Sequence, residues 1–160
     1  MKIIAATGHR PQKLGGFSDT INNRLKDLAI AYFKKSNPDK IISGMALGWD
    51  TAVALAAIEL SIPLVAAIPF YGQELRWNEE SQEIYHSILN SQFVDKVIVC
   101  PGSYSAASMN KRNEWMVDNC DHLVALWDGS NGGTGNCIKY ANGKVTISNL
   151  WSSWNKYKGI

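Results

Sequence analysis

Glycines and small polar residues are concentrated in one short segment, DGSNGGTGN, from Asp128 to Asn136. The segment directly follows HLVALW, an apolar run typical of a buried strand. Backbone N–H groups in a glycine-rich turn before a helix can converge on an anion. The segment is therefore predicted to cradle a phosphate group, and an ordinary turn is the alternative.

A second glycine-containing loop, SGMALGWD at residues 43–50, opens another predicted helix. Its glycines allow backbone amides to face an anion at the helix start, where the helix dipole is also favourable. The loop lacks the Lys-Ser/Thr pair of a P-loop and the third glycine of a dinucleotide fingerprint. Asp50 has two open interpretations, a helix cap and a functional carboxylate.

The segment TGHRP, residues 7–11, follows the first apolar run of the chain. Gly8 allows a tight turn, and the side chains of His9 and Arg10 are long enough to reach a phosphate. The alternative is a polar loop in which Arg10 forms a surface ion pair.

A fourth candidate segment is PFYGQELRWNEESQEIY, residues 69–85. Gln73, Trp77, Glu80 and Tyr85 are candidates for one wall of a ligand site. Glu and Gln at these spacings are equally typical of a solvated helix face, so both interpretations stay open.

Apolar runs that alternate with segments of helical period predict the elements that position these loops. Strands are expected at 2–7, 40–43, 62–70, 94–100 and 122–128. Helices are expected at 18–35, 51–60, 73–90, 104–119 and 137–141. Strands without a polar face indicate a sheet covered on both sides, so the fold class is α/β, a Rossmann-like three-layer sandwich with a mainly parallel sheet. In such a fold the ligand crevice lies beyond the carboxyl ends of the strands, where the four loops meet.

Length and composition fit one domain over residues 1–160, since the chain has 46% hydrophobic residues and no linker. The tail, 144–160, is predicted to form a final strand and an aromatic segment that packs on the body or on a partner subunit. Its aromatic residues are Trp151, Trp154 and Tyr157.

The charge and cysteine content exclude several classes of protein. A net charge of +2 without a basic stripe disfavours a dedicated nucleic-acid binder. Cys100, Cys120 and Cys137 show no CxxC or CxH pairing, so neither a disulfide framework nor a metal site is expected, and no cofactor is predicted. Because no signal peptide and no run of about 18 apolar residues is present, a cytoplasmic protein without a membrane segment is expected.

Three of these motifs together resemble the SMF/DprA-LOG (SLOG) superfamily. SGMALGWD is similar to the SG-x-A-x-G-x-D signature of DprA, and MNKRNEWM (109–116) is similar to the M-H-x-R-K-x-x-M signature of LOG enzymes. GGTGN stands where LOG enzymes have P-G-G-x-G-T-x-x-E. With TGHRP and RWNEESQEIY, the set resembles the YpsA-type branch found in Firmicutes and their phages, over residues 3 to 142.

The resemblance implies a nucleotide-binding domain and raises the question of catalysis. LOG enzymes hydrolyse the N-glycosidic bond of a nucleoside 5′-monophosphate with the Arg and Glu of those motifs. The arginine position falls on Arg112, but the glutamate position falls on Lys139. An ammonium group there would oppose the positive charge that develops as the bond breaks. Asp50 is then the first candidate carboxylate, followed by Glu80 and Glu83.

Three functions are therefore in competition. The first is binding of a nucleotide or nucleotide-derived small molecule, as a sensor or binder. The second is an N-glycosidase that acts on a nucleoside 5′-monophosphate or related nucleotide, and the third is DprA-like DNA binding. The resemblance to dimeric LOG enzymes and the Trp-rich tail favour a homodimer.

The predicted site follows from these loops. The predicted catalytic residues are Asp50, Glu80 and Arg112. The predicted ligand-binding residues are Gly8, His9, Arg10, Ser43, Gly44, Gly48, Trp77, Arg112, Asn113, Asp128, Gly132, Gly133, Thr134 and Gly135. Of these, Asp128 is expected to hold ribose hydroxyls.

Overall fold

The computed structural model describes residues 1–157 and arranges six strands in one parallel sheet. In chain order the strands are β1 (Ile3–Gly8), β2 (Lys40–Ser43), β3 (Leu64–Ile68), β4 (Val94–Val99), β5 (His122–Leu126) and β6 (Thr146–Asn149). The helices are α1 (Pro11–Leu14), α2 (Asp19–Ser36), α3 (Trp49–Glu59), α4 (Glu79–Leu89), α5 (Ala106–Asp118), α6 (Gly133–Ala141) and α7 (Trp151–Tyr157). The predicted Rossmann-like α/β fold is confirmed.

The strand order is β4-β3-β2-β1-β5-β6, and every strand pair is parallel. The chain builds the sheet outward from β1 in one direction and then returns to add β5 on the other side. In open parallel sheets, a ligand crevice forms where the order reverses in this way. Here that point lies beyond the carboxyl ends of β1 and β5.

Both faces of the sheet are covered by apolar side chains. One face packs against α2, α3 and α7 and buries Phe33, Trp49 and Trp154 almost completely. The other face packs against α5 and α6 around Met116 and Cys137. Of the predicted aromatic tail, Trp154 is part of this core, and the side chain of Tyr157 lies outside the described residues. No helix within residues 1–157 is long and apolar enough to cross a membrane.

Two predicted helices begin at other positions in the structure. The helix expected from residue 73 begins at Glu79, because Asn78 caps it by accepting a hydrogen bond from the Ser81 N–H at 2.8 Å. The residues before that cap form turns instead. The helix expected from residue 137 begins earlier, at Gly133, so the glycine segment itself supplies the first helical turn.

The start of α3 lies unusually close to the end of β1. A Cβ atom on Gly8 would lie 2.5 Å from the Trp49 ring, and one on Gly48 would lie 2.6 Å from the His9 carbonyl oxygen. Gly48 also has φ 88° and ψ −123°, a conformation that side chains disfavour. These two glycines therefore bring the loop before α3 against β1.

We expect Gly48→Ala to lower the free energy of unfolding by about 2 kcal/mol or more, because it combines backbone strain with a clash. Urea denaturation measures the change. Gly143→Ala is the matched control, since Gly143 has a similar φ of 82° but nothing within 4 Å of the added Cβ. Equal losses in the two variants would show that the close approach to His9 contributes nothing.

Candidate functional site

A cavity of about 690 Å³ opens at the point where the strand order reverses. It is bounded by the loop after β1 with α1, the loop before α3, the start of α5, and the glycine segment that leads into α6. Its lining residues are Thr7, Gly8, His9, Arg10, Gln12, Lys13, Ala46, Asp50, Tyr104, Ser105, Ala106, Met109, Asn110, Arg112, Asn113, Ser130, Asn131, Gly132, Gly133, Thr134, Gly135 and Asn136.

The glycine segment is held in shape by Asp128. Its Oδ1 accepts hydrogen bonds from the Ser130 N–H at 2.9 Å and the Ser130 hydroxyl at 2.5 Å, and lies 2.8 Å from His9 Nε2. These contacts, those with Ser130 above all, hold the pKa of Asp128 well below its usual range. The Trp127 indole N–H donates to the Ser130 carbonyl at 2.8 Å and closes the turn.

The first turn of α6 has no side-chain cap. Gly132 stands at the cap position with φ 145° and has no side chain to accept from the amides that follow. Gly132 to Gly135 all line the cavity. Unsatisfied amides and the positive end of the helix dipole together attract an anion, so this end of the cavity has the properties of a phosphate site.

Two exposed cations line the same cavity, Lys13 beside the glycine segment and Arg10 beside α5. The Lys13 ammonium donates to the Ser130 hydroxyl at 2.5 Å, and Arg10 Nη2 contacts the Met109 sulfur at 3.4 Å. Within residues 1–157, neither cation forms an ion pair with a carboxylate. Both are therefore available to an anionic ligand.

The loop before α3 is tied down by its own hydrogen bonds rather than open to an anion. The Met45 N–H donates to the Ser43 hydroxyl at 3.1 Å, and the Ala46 N–H to Asp50 Oδ2 at 3.4 Å. The Ser43 hydroxyl in turn donates to the Asp50 carbonyl at 2.8 Å. The amides of Met45 and Ala46 therefore already have acceptors, and a phosphate cradle formed by the amides of this loop stays a prediction.

Arg112 is buried at the base of the cavity and bonds mainly to the protein. Its Nη1 donates to the Gly44 carbonyl at 2.5 Å and the Ala67 carbonyl at 3.3 Å, and its Nε donates to Asn113 Oδ1 at 2.9 Å. Burial lowers the pKa of Arg112, and Asp50 partly offsets that shift. Arg112 thus joins α5 to the ends of β2 and β3 while lining the cavity.

Asp50 is the carboxylate that lines the cavity. It is 5% exposed, and burial raises its pKa to about 6 despite the favourable charge of Arg112. Its Oδ1 has no hydrogen-bond partner among the described residues. No ion pair joins it to Arg112 within 4 Å, and the Gly44 backbone lies beside both side chains.

The structure brings most of the predicted site residues to this cavity, but not all of them. Ser43, Gly44 and Gly48 shape the adjoining loop, and Asp128 organises the glycine segment without lining the cavity. Trp77 packs edge-on against Tyr85 at 5.4 Å, and Glu80 borders a separate cavity of about 90 Å³. Glu83 and Lys139 are exposed and do not line the main cavity.

Sequence reasoning missed several lining residues, including Lys13, Tyr104, Met109 and Ser130. Lys13 lies on α1, a single turn that begins at Pro11, and a proline directly after TGHR is a signal for such a helix start. Tyr104 stands at the rim with the Arg76 guanidinium 3.9 Å from its ring centroid. Nothing in the local sequence pattern indicated that contact.

The side chains here do not form a metal centre. Within the part of the chain that the structure describes, no three His, Cys, Asp or Glu side chains are grouped so that they could hold a metal ion. Burial raises the pKa of the Cys137 thiol to about 11, which disfavours the reactive thiolate.

Fold and cavity define a Rossmann-like α/β protein with a polar, glycine-lined site at the reversal of strand order. The chain belongs to the YspA SLOG family, whose model matches residues 4–149. This agrees with the resemblance found in the sequence motifs.

Curated relatives extend over most of the chain. The SPbeta prophage-derived protein YoqJ of Bacillus subtilis is 34% identical over 147 residues, which cover 80% of this chain and 86% of YoqJ. A UPF0398 protein of Bacillus pumilus is 34% identical over 146 residues, covering 84% of this chain and 77% of its own. The UPF0398 protein YpsA of Bacillus subtilis is 28% identical over 139 residues, covering 80% of this chain and 77% of YpsA.

Solved structures share the fold at low sequence identity. DNA processing protein A (DprA) from Streptococcus pneumoniae superposes with a TM-score of 0.64 and 15% identity, covering 99% of this chain and 54% of that one. This chain therefore spans about half the length of that DprA. The molybdenum cofactor binding protein from Rippkaea orientalis has a TM-score of 0.57 and 18% identity, covering 99% and 85%.

The raised pKa of Asp50 predicts how stability depends on pH. The folded protein holds the Asp50 proton more tightly than the unfolded chain, where the pKa is 3.8, so ionisation is destabilising as pH rises toward 6. Asp50→Asn cannot ionise, so we expect the variant to be about 2 to 3 kcal/mol more stable toward unfolding than wild type above pH 7. Near pH 4 we expect the two proteins to be equally stable. Urea denaturation from pH 4 to 8 measures the difference, and parallel curves for the two proteins would contradict it.

Proposed function

We propose that the protein binds a nucleotide or nucleotide-derived small molecule, with its phosphate at the start of α6. The observation that carries the proposal is the uncapped first turn of α6, Gly132 to Gly135, exposed to a cavity with two unpaired cations. Lys13 adds positive charge beside the glycine segment, and Arg10 adds positive charge elsewhere in the lining. A phosphate would accept hydrogen bonds from the free amides and attract these cations.

The size and lining of the cavity agree with a small ligand. Small-molecule sites usually occupy about 300 to 1,000 Å³, and the cavity here has about 690 Å³. Its lining also includes Tyr104 and Met109, which provide apolar contact for a base or a similar ring. Asp50 and Asn113 provide polar groups between the two ends.

The solved structures that share this fold are compatible with this proposal. One of them is a molybdenum cofactor binding protein, and a neighbour of the same fold that binds a cofactor supports a small-molecule ligand for this chain. The family relationship and the glycine segment support the same class of ligand for this chain.

Hydrolysis of the bound nucleotide is the second candidate function. The position of Asp50 supports hydrolysis, because a buried carboxylate in a cavity can stabilise the positive charge that forms when an N-glycosidic bond breaks. Lys139, at the position where LOG enzymes have their glutamate, is exposed and does not line the cavity. Catalysis by this chain would therefore depend on Asp50.

DNA binding has less support from the charges of the described residues. The DprA neighbours include one from Helicobacter pylori solved for its single-stranded DNA binding mode. In this chain, Arg112 is buried, and the cations beside the cavity are Arg10 and Lys13. Two exposed cations give a small phosphate-contacting surface for a nucleic acid. The homodimer and the cytoplasmic location expected from the sequence stay predictions.

Gly133→Val tests the phosphate site. A valine there adds bulk at the cavity lining, and no protein atom lies within 4 Å of its Cβ, so the fold is expected to persist. We expect isothermal titration calorimetry with the four ribonucleoside 5′-monophosphates to show binding to wild type and at least about tenfold weaker binding to the variant.

Lys139→Val is the matched control, because it places the same side chain on an exposed position of α6 outside the cavity. It should bind like wild type. Binding of none of the nucleotides to wild type would refute the proposal for these ligands, and equal binding by Gly133→Val would refute the position of the phosphate.

Asp50→Ala tests the second candidate function. If the protein hydrolyses its ligand, chromatography should detect free base released from a ribonucleoside 5′-monophosphate by wild type. The variant should release at least about a hundredfold less, as expected when a group that stabilises the transition state is removed. Intact nucleotide after prolonged incubation with wild type would exclude hydrolysis of that nucleotide and leave binding.

A further inference from the structure

Four buried side-chain atoms among the described residues have no hydrogen-bond partner: Arg24 Nε, Trp49 Nε1, Trp154 Nε1 and Asp50 Oδ1. The first three are donors in residues that do not line the main cavity. Asp50 Oδ1 is the one acceptor of the four, and its residue lines the cavity. A buried acceptor without a partner costs about 1 to 3 kcal/mol, so native proteins rarely keep one without a use.

Asp50 cannot obtain its partner from the surrounding protein as it is arranged here. The nearest cation, Arg112, donates to the carbonyls of Gly44 and Ala67 and to Asn113. A Cβ on Gly44 would lie 2.7 Å from Arg112 Nη1 and 2.9 Å from Asp50 Oδ2, so the Gly44 backbone stands beside both groups. Among the described residues, the only hydrogen bond to the carboxylate is the long one from the Ala46 N–H, at 3.4 Å.

A ligand group that satisfies Asp50 has to be a hydrogen-bond donor. A phosphate would be repelled, because two negative charges in a partly buried site destabilise each other. A sugar hydroxyl is neutral and donates, and carboxylates bind such hydroxyls in nucleotide sites of this general fold class. The torsion that turns a carboxylate about its own axis is soft, so either oxygen can face the cavity.

We infer that Asp50 recognises a sugar hydroxyl of the ligand, so that the protein selects ribosyl phosphates over compounds that lack the hydroxyls. The inference rests on the proposed function, since it assumes that the phosphate of the same ligand lies at the start of α6. It assigns the hydroxyl contact to Asp50 rather than to Asp128, whose Oδ1 already contacts Ser130 and His9.

The alternative role for Asp50 is to shape the loop before α3. Thr51, the next residue, also holds that loop, through a 2.7 Å hydrogen bond from its hydroxyl to the Ala46 carbonyl. Thr51 does not line the main cavity. A variant at Thr51 therefore disturbs the same loop without removing a group from the cavity.

The test compares the four ribonucleoside 5′-monophosphates with their 2′,3′-dideoxy analogues by calorimetry at pH 7.5. Wild type should bind the ribonucleotides at least about tenfold more tightly, as expected for one hydrogen bond to a charged acceptor. Asp50→Ala should lower ribonucleotide affinity to the level of the dideoxy compounds and should not weaken dideoxynucleotide binding. Thr51→Val should keep the discrimination of wild type, even where its melting temperature falls.

The outcomes separate this inference from the proposed function. If wild type binds both series equally, or if Asp50→Ala weakens both series by the same factor, nucleotide binding stands and hydroxyl recognition by Asp50 is overturned. If Thr51→Val loses the discrimination as well, the loop rather than the carboxylate is responsible, which also overturns it. If wild type binds neither series, both the inference and the proposed function fail.

Discussion

The carbonyl oxygen of Gly44 joins three separate parts of the chain, and the floor of the cavity depends on it. Arg112 from α5 donates to it at 2.5 Å, and Gln73 from the segment after β3 donates to it at 3.2 Å. Glycine is required here because a side chain would collide with both Arg112 and Asp50. The position of Asp50 therefore depends on bonds made by residues far away in sequence.

This arrangement keeps two opposite charges buried without letting them pair directly. Burial raises the pKa of Asp50 and lowers that of Arg112, so each group is less stable in its charged form than in water. A directly paired and fully bonded carboxylate would be more stable, but it would have no capacity left for a ligand. This arrangement lowers stability and leaves one carboxylate oxygen without a partner among the described residues, a combination that is typical of functional sites.

The α/β class and the positions of most elements followed from the sequence, because buried parallel strands and amphipathic helices leave strong local patterns. The glycine segment and TGHRP reached the cavity as expected, since both follow strands whose carboxyl ends are adjacent. Trp77 and Glu80 do not line the cavity. Because Asn78 caps α4, the helix begins at Glu79; Trp77 then packs against Tyr85, and Glu80 borders the smaller cavity. In the loop before α3, the amides of Met45 and Ala46 donate to Ser43 and Asp50 of the same loop, and residue types alone do not show which side chains turn back onto these amides.

The start of α6 and the floor of the cavity differ in electrostatic character, and this difference would orient a ligand that carries one phosphate. The start of α6, with Lys13 beside the glycine segment and Arg10 also in the lining, attracts negative charge. At the floor, Asp50 repels negative charge and accepts a donor. A ligand with one anionic group at each of these two positions would be bound more tightly through the first group and less tightly through the second. The cavity therefore suits a molecule with one anionic end and a neutral, hydroxyl-bearing middle, which is the polarity of a nucleoside phosphate.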